Sequence, residues 1–500
     1  MNLDNLVGER HHAPDILDCL ANLSSDEVFT PPHIAQKMLD LLPDEVWTNP
    51  DLKFLDPVCK TGVFLRECAA RLMVGLKDII VDENARREHI FRNMLFGLSI
   101  TELTGNISRR SVYYSKDASS SYSVVKFPDI QGNLKYLRSN HSFVNKKCTV
   151  CGAPESLERG THLENYAYSF IHDDDIYNMR FDVIIGNPPY QLEDGGFGAS
   201  STPIFQLFVQ KAKSLSPRFI SFVIPARWYS EGKGLDEFRE QMINDRCLKY
   251  LVDYPKLFEC FPGVEIKGGV CFFVRDNQWD GDCEVRNVMD GEVLSVAVRD
   301  LRSGGDVLIR DNNAVSILEK VKSLNEESIA NMVSSRKPFG LATNFTDYFD
   351  AYFDQSVKLF RRGGISYVQL DKIPSNVTWI HKWKVLTPKA GDGHGRVPMK
   401  VLGEPIVAGP GTACTETYLV AGVFDTEAQA RNYADYLCSK FTRFLVSLRK
   451  HTQDVTNKRF SFVPKIDFNK GHNPNDLYAK YNFSVEEIAY IEATIMEMSI

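Results

Sequence analysis

Between residues 53 and 275 short β-branched runs alternate with amphipathic stretches, and that rhythm restricts the fold more than any other feature. Strand candidates are Lys53–Val58, Leu95–Ile100, Arg180–Gly186, Arg218–Ile224, Tyr250–Tyr254 and Gly269–Arg275. Between them, Val63–Leu76, Thr101–Tyr114, Ile204–Leu215 and Leu235–Asn244 carry apolar residues at helical spacing. The alternation predicts an α/β fold with a doubly wound, largely parallel sheet whose ligand site lies at the carboxyl ends of the strands. Residues 115–165, with the Ser-rich Ser119–Ser121, interrupt the rhythm and read as an insertion. After about residue 290 the sequence becomes loop-rich, with Gly pairs at Gly304 and Gly363. One long helical stretch, Glu427–Lys450, follows, with Ala430, Tyr433, Leu437 and Phe441 on one face. Five hundred residues exceed one hydrophobic core, so two domains are expected, 1–300 and 301–500.

A 43% hydrophobic and 25% charged composition is that of a soluble globular protein. With no run of eighteen apolar residues and a polar start, no membrane span and no secretory leader are expected. The eleven cysteines, among them Cys19, Cys68, Cys271 and Cys438, are scattered through core-like stretches, as reduced thiols of a cytoplasmic protein would be. A net charge of −7 argues against a nucleic-acid binder, yet residues 331–470 hold 20 Lys and Arg against 12 Asp and Glu. That distribution suggests an acidic body joined to a basic module that meets phosphates.

The sharpest motif is Phe181-Asp-Val-Ile-Ile-Gly-Asn187-Pro188-Pro189-Tyr190, an apolar strand ending in a rigid polar turn. An exocyclic aromatic amine is a weak nucleophile because its lone pair is delocalised into the ring. Two acceptors aimed at its two N–H groups favour a tetrahedral nitrogen and localise that pair. The Asn187 side-chain carbonyl and the Pro188 backbone carbonyl suit this task, and the two prolines stiffen the loop that holds them. Tyr190 offers a ring face on which a base withdrawn from a helix can stack. The alternative is a plain β-turn, in which Asn-Pro is common.

Asn-Pro-Pro-Tyr after such a strand resembles the amino-methyltransferases that modify adenine. Phe54-Leu-Asp56-Pro57-Val-Cys59-Lys60-Thr61-Gly62-Val-Phe64 resembles their S-adenosylmethionine loop, although Lys60 stands where many members have glycine. The resemblance makes Asp56 the partner of the cofactor's amino group, with Pro57, Cys59, Thr61 and Gly62 forming a turn into a helix. Glu27-Val28-Phe29-Thr30-Pro31-Pro32 resembles the family's N-terminal cofactor motif, in which Val28 and Thr30 take part and Thr30 caps a helix started by Pro31. The order of these motifs resembles the gamma class of DNA adenine amino-methyltransferases, a Rossmann-like methyltransferase sheet followed by a target-recognition domain. In that class the segment Cys260-Phe261-Pro262-Gly263 carries the aromatic ring that covers the other face of the flipped base, which points to Phe261. The acid that holds the cofactor's ribose is replaced by Ser99, with Glu102 as substitute. The residue for the cofactor's adenine should follow a strand over Tyr166–Ile171, as Asp173 or Asp174.

The insertion also contains His141-x6-Cys148-Thr-Val-Cys151-Gly152, with His162 and His172 downstream. Cys-x-x-Cys-Gly presents two thiolates to one tetrahedral ion, so Cys148, Cys151, His141 and His162 form a candidate structural zinc set. A surface turn with free thiols is the competing reading. His172 is disfavoured because it ends the expected strand. Near the C-terminus Arg443, Arg449, Lys450, Gln453, Asn457, Lys458 and Arg459 mix cations with amides suited to phosphates and adenine edges. Trp379, Lys382, Trp383 and Lys384 form a second such patch.

These features together imply a site-specific methylase acting on double-stranded DNA, with a restriction endonuclease or other defence-system subunit as partner. Methylation of RNA or of protein glutamine stands as an alternative, since the same acceptor pair suits any planar amine. So does a catalytically degenerate DNA-binding specificity subunit. A cytosine ring-carbon enzyme needs a Pro-Cys nucleophile, and no such pair occurs. Nor does a Gly-Lys-Ser/Thr loop for an ATP-driven motor.

Overall fold

The computed structural model describes residues 29–155, 167–173, 178–191, 202–230, 234–256, 260–261, 268–391, 397–450 and 453–499. The chain divides into two compact units at about Glu292, with residues 227–231 counted in the second.

The first unit is built on β1 (Phe54–Asp56), β2 (Leu95–Ser99), β3 (Leu134–Tyr136), β6 (Val183–Gly186), β7 (Phe219–Pro225), β8 (Leu248–Tyr254), β9 (Val270–Asp276) and β10 (Cys283–Met289), and β4 (Phe143–Val144) pairs with β5 (Lys147–Cys148) in a separate hairpin. Within this unit the sheet runs β10-β8-β9-β7-β6-β1-β2-β3. Neighbours are parallel except β9, which is antiparallel to both β7 and β8. The sheet is therefore mixed rather than nearly all parallel. Fully buried runs such as Val183–Gly186 and Phe219–Pro225 explain why these strands read as apolar blocks without alternation.

The expected helices form at their expected places: α2 (Val63–Gly75), α3 (Glu102–Tyr113), α5 (Phe205–Ser214) and α6 (Asp236–Ile243), preceded by α1 (Pro32–Leu39). Thr101 closes a capping box with Thr104 at the start of α3. Two local expectations change. Residues Ser169–His172 form a single helical turn, α4, and not part of a strand, and Tyr168 and Phe170 both pack on Phe208. The interruption after α3 is also smaller than 115–165. Ala118, Val125 and Phe127 join the main core, Asn133 donates to the carbonyls of Phe91, Arg92 and Leu95, and β3 extends the sheet.

The second unit begins with β11 (Glu292–Arg299) and α7 (Asn313–Ser323). It holds two three-stranded sheets, β13-β12-β16 and β15-β14-β17, from β12 (Val357–Arg361), β13 (Gly364–Val368), β14 (Trp383–Pro388), β15 (Ile406–Ala408), β16 (Thr412–Cys414) and β17 (Tyr418–Phe424). The long helical stretch is in fact two helices, α8 (Glu427–Cys438) and α9 (Lys440–Ser447). Ser439 separates them, in extended conformation, and its side chain accepts from the Thr442 amide as a new N-cap. Ala430, Tyr433, Leu437 and Phe441 are all buried, as their spacing requires.

The basic segment near the C-terminus is largely internal. Arg443 is fully buried and donates to the carbonyls of Cys438, Lys400 and Met496. Arg449 grips Asp306 with two bonds of 2.9 and 2.7 Å, Arg459 donates to the Arg449 carbonyl, and Lys450 is buried. In the second patch Lys384 is buried against Thr412 Oγ1 at 2.7 Å, and burial pushes its pKa down to about 8. Lys382 pairs with Asp425. Arg443, Arg449, Arg459 and Lys384 are thus internal donors, whereas the Lys382–Asp425 pair is exposed. Gln453, Asn457 and Lys458 are exposed.

Arg443→Ala should destabilise the second unit by about 3 kcal/mol, roughly one for each carbonyl left without its donor. Urea unfolding of the full chain measures this. Unchanged unfolding combined with a shallower salt dependence of DNA binding would instead mark Arg443 as a phosphate contact.

Candidate methyltransferase site

The chain leaves β1 to pair with β2 on one side and returns to lay β6 on the other. The strand order reverses there, which opens a crevice at the carboxyl ends of β1 and β6. Asp56 ends β1 and Asn187 follows β6, so the two motifs read from the sequence meet at this switch point.

Contact between them is close. A Cβ on Gly186 would stand 2.9 Å from Asp56 Oδ1, so only glycine lets the strand approach this carboxylate. Asp56 is buried, and its Oδ1 accepts from the Val58 amide at 3.0 Å. Burial lifts its pKa to about 7, against the pull of the Val58 amide, the Lys60 charge and Cys59. Lys60 is itself buried.

The rest of this loop is shaped by two more glycines. Gly62 has φ of 74° immediately before α2, and a Cβ there would meet Val112 Cγ2 at 2.9 Å and the Ser108 carbonyl at 3.0 Å. Gly97, in β2, leaves room for the Cys59 side chain, whose β-carbon a Cβ would approach to 3.2 Å. The Cys59 thiol is raised well above its ordinary range by burial and by Asp56. Pro57 is buried and Thr61 half-buried.

Asn187, Pro188, Pro189 and Tyr190 are all buried. Asn187 Nδ2 donates to Thr30 Oγ1 at 3.1 Å, which fixes the rotation of the amide and hence the direction of its carbonyl. Thr30 is not the expected helix cap. Pro31 occupies the cap position and Pro32 the first helical position, and no side chain caps α1. The hydroxyl holds Asn187 instead. Tyr190 and Phe261 lie in one apolar cluster, 5% and 1% exposed.

The remaining expected cofactor residues are less tightly joined. Ser99 is buried and within 3.4 Å of the Ser108 hydroxyl, whereas Glu102 is exposed at the start of α3. Asp173 accepts a hydrogen bond from Ser139. Val28 and Asp174 lie outside the described residues. Sequence reasoning missed Gly186, Gly97 and Ser108. An isolated glycine within or at the end of a buried strand is the available signal for the first two, and nothing in the sequence distinguishes Ser108.

A second cluster lies on the β4–β5 hairpin. His141, Cys148, Cys151 and His172 bring one ligand atom each within 4.8 Å of one another. Here the structure includes His172, at the end of α4, where sequence spacing preferred His162, which lies outside the described residues. Once residues 169–172 coil into a helical turn, the reason for disfavouring His172 disappears. Burial works against a Cys148 thiolate, but the amides of Cys151, Val150 and Ser142 bring its pKa below the usual thiol value.

Among the described residues no helix is long and apolar enough to cross a membrane. Residues 93–261 match the Eco57I restriction-modification methylase family. A protein of Mycoplasma pneumoniae (strain ATCC 29342 / M129 / Subtype 1), described as an uncharacterized adenine-specific methylase, is 34% identical over 378 residues, 67% of this chain and 90% of the relative. Among solved structures, a chain of a type I restriction-modification system is 16% identical with a TM-score of 0.36, over 55% of this chain and 48% of that one. DrdV in its DNA complex is 12% identical with a TM-score of 0.47, over 88% of this chain and 56% of that one. The chain spans about half the length of these two solved proteins. Through its similarity to nearly the whole of the Mycoplasma methylase, the chain belongs to the adenine-specific methylases.

Proposed function

We propose that this chain transfers a methyl group to the 6-amino group of an adenine rotated out of double-stranded DNA. The observation that carries the reading is the Asn187–Thr30 hydrogen bond beside Asp56 at the switch point. It joins the Thr30 and Asn187 motifs, 157 residues apart, while Gly186 lets Asp56 of the third motif approach the same strand end. S-adenosylmethionine, when bound, supplies an electrophilic methyl group. A buried carboxylate lifted to about 7 calls for a cation, and the cofactor's ammonium is one, so the donor set fits. Asp56 would hold that ammonium, with Pro57, Cys59, Thr61 and Gly62 forming the turn around it. Val28, Glu102 and Asp173 are assigned to the same cofactor by the family resemblance.

For the base, the Asn187 side-chain carbonyl and the Pro188 carbonyl accept hydrogen bonds from the two amine N–H groups and localise the nitrogen lone pair. Thr30 positions the amide, Pro189 stiffens the turn, and Tyr190 and Phe261 sandwich the ring. Methylation leaves the amine cationic, and one of its protons then passes to solvent water, since amide carbonyls are too weakly basic to keep it. The second unit is the proposed target-recognition module, through exposed groups such as Gln453 and Asn457. A restriction endonuclease or another defence-system subunit is the proposed partner.

Asn187→Ala should reduce methyl transfer to an adenine-containing duplex on the order of 100-fold or more, with cofactor binding nearly unchanged. Thr30→Val removes only the positioning bond and should lower kcat roughly tenfold. Both are read by transfer of labelled methyl groups. Activity of Asn187→Ala within a few-fold of the parent refutes the assignment.

Asp56 also sets a pH dependence. Without cofactor it keeps its proton up to about pH 7, and a bound ammonium favours the ionised form. Cofactor affinity should therefore rise with pH, by up to about tenfold per unit, and level off above about pH 7. For stability of the unliganded chain the sign is opposite. Asp56 binds its proton more tightly folded than unfolded, so its contribution is full below its ordinary 3.8 and is lost as pH rises through about 7. Calorimetric titration across this range should show the slope in the parent and a flat, weak response in Asp56→Asn. An equally steep slope in Asp56→Asn would assign the proton to another group.

A further inference from the structure

We propose that His141, Cys148, Cys151 and His172 bind one zinc ion, which fastens the β4–β5 hairpin to the helical turn that leads into Asp173. Tetrahedral zinc, with Zn–S of about 2.3 Å and Zn–N of about 2.0–2.1 Å, places its ligand atoms about 3.3–3.8 Å apart. Two sulfur–nitrogen separations fall in that range. Cys151 Sγ is 3.5 Å from His141 Nδ1, and Cys148 Sγ is 3.6 Å from His172 Nε2.

The surroundings are those of a prepared site. His172 Nδ1 donates to the Tyr168 carbonyl at 2.9 Å, which places the proton on that nitrogen and presents the Nε2 lone pair to the thiols. Gly152, with φ of 74°, closes the turn, its amide donating to the Cys148 carbonyl at 3.0 Å. Both sulfurs sit on buried residues, although the hairpin around them is polar and exposed at Lys146, Lys147 and Val150. Strands of two residues each bury too little to hold such a hairpin together. An ion with four protein ligands supplies the missing constraint and has no open position for chemistry, so its role is structural. Binding displaces the thiol protons to solvent.

His172 is the important ligand, because it comes from outside the hairpin. It is followed directly by Asp173, whose carboxylate accepts from Ser139, two residues before His141. The ion thus ties both ends of this contact together. Any effect on cofactor binding rests on the proposed role of Asp173, whereas metal content does not.

The test is elemental analysis of the purified full chain, with cobalt exchange as a spectroscopic check. About one zinc per chain is expected. Cys148→Ser and His172→Ala should each lose it at least tenfold, and His162→Ala should retain it. Cobalt-exchanged protein should show the intense bands of a tetrahedral thiolate site. Should a variant fail to fold, chelation of the parent should still release about one equivalent of zinc. Calorimetry of zinc-free His172→Ala should then show S-adenosylmethionine bound several-fold more weakly. Metal-free parent protein, with both thiols reactive or joined as a disulfide, overturns the site. Zinc kept in His172→Ala but lost in His162→Ala overturns the ligand assignment. Zinc loss with unchanged cofactor affinity overturns the fastening while leaving the methylase reading intact.

Discussion

Pairing of β1 with β6 brings the ends of two strands together where no crossover helix covers them, and everything chemical in the first unit depends on that contact. Asp56 gains its place because Gly186 lacks a side chain, and Asn187 gains its orientation because it follows Gly186 directly. Burial then makes the carboxylate costly to ionise, which is what gives it a preference for a cationic ligand. Thr30 adds the third segment with one hydrogen bond. Side chains remote in sequence become neighbours through backbone pairing, and the pairing in turn depends on small residues at its ends.

The parts of this arrangement that the sequence made legible are those governed by local rules. Val183–Gly186 and Phe219–Pro225 were readable because strands buried on both faces need continuous apolar runs. The α2 start was readable because Gly62 must adopt a left-handed turn. What misled was decided at longer range. Ala430, Tyr433, Leu437 and Phe441 kept helical phase across the break at Ser439, so periodicity could not reveal two helices. The Tyr166–Ile171 segment is apolar enough for a strand, but Tyr168 and Phe170 pack on Phe208, a contact that no local pattern encodes. The expected strand is also what disfavoured His172 as a member of the His/Cys cluster. Thr30 does not cap the helix as expected, because proline at positions 31 and 32 satisfies the helix start without it, and its hydroxyl accepts from Asn187 instead.

Charge was legible in amount but not in placement. The surplus of Lys and Arg in residues 331–470 is real, yet several of its members are internal donors. An arginine can satisfy three carbonyls at once, as Arg443 does, and such a group cannot also neutralise a phosphate. Arg336 pairs with Glu416 and Lys382 with Asp425, so part of the exposed charge is also balanced locally.

Lys60 shows how the Asp56–Gly62 loop tolerates a departure from the pattern it resembles. A lysine in a glycine position would be disruptive if the backbone there required a left-handed conformation, but the positive φ of this loop is at Gly62, and Lys60 has none. Close approach to the neighbouring strand is likewise provided by Gly97, which accommodates Cys59. The shape of the loop therefore resides in Gly62 and Gly97, and its charge balance in Asp56 and Lys60. Lys60 lowers the Asp56 pKa without overcoming burial, so the carboxylate still favours a further cation.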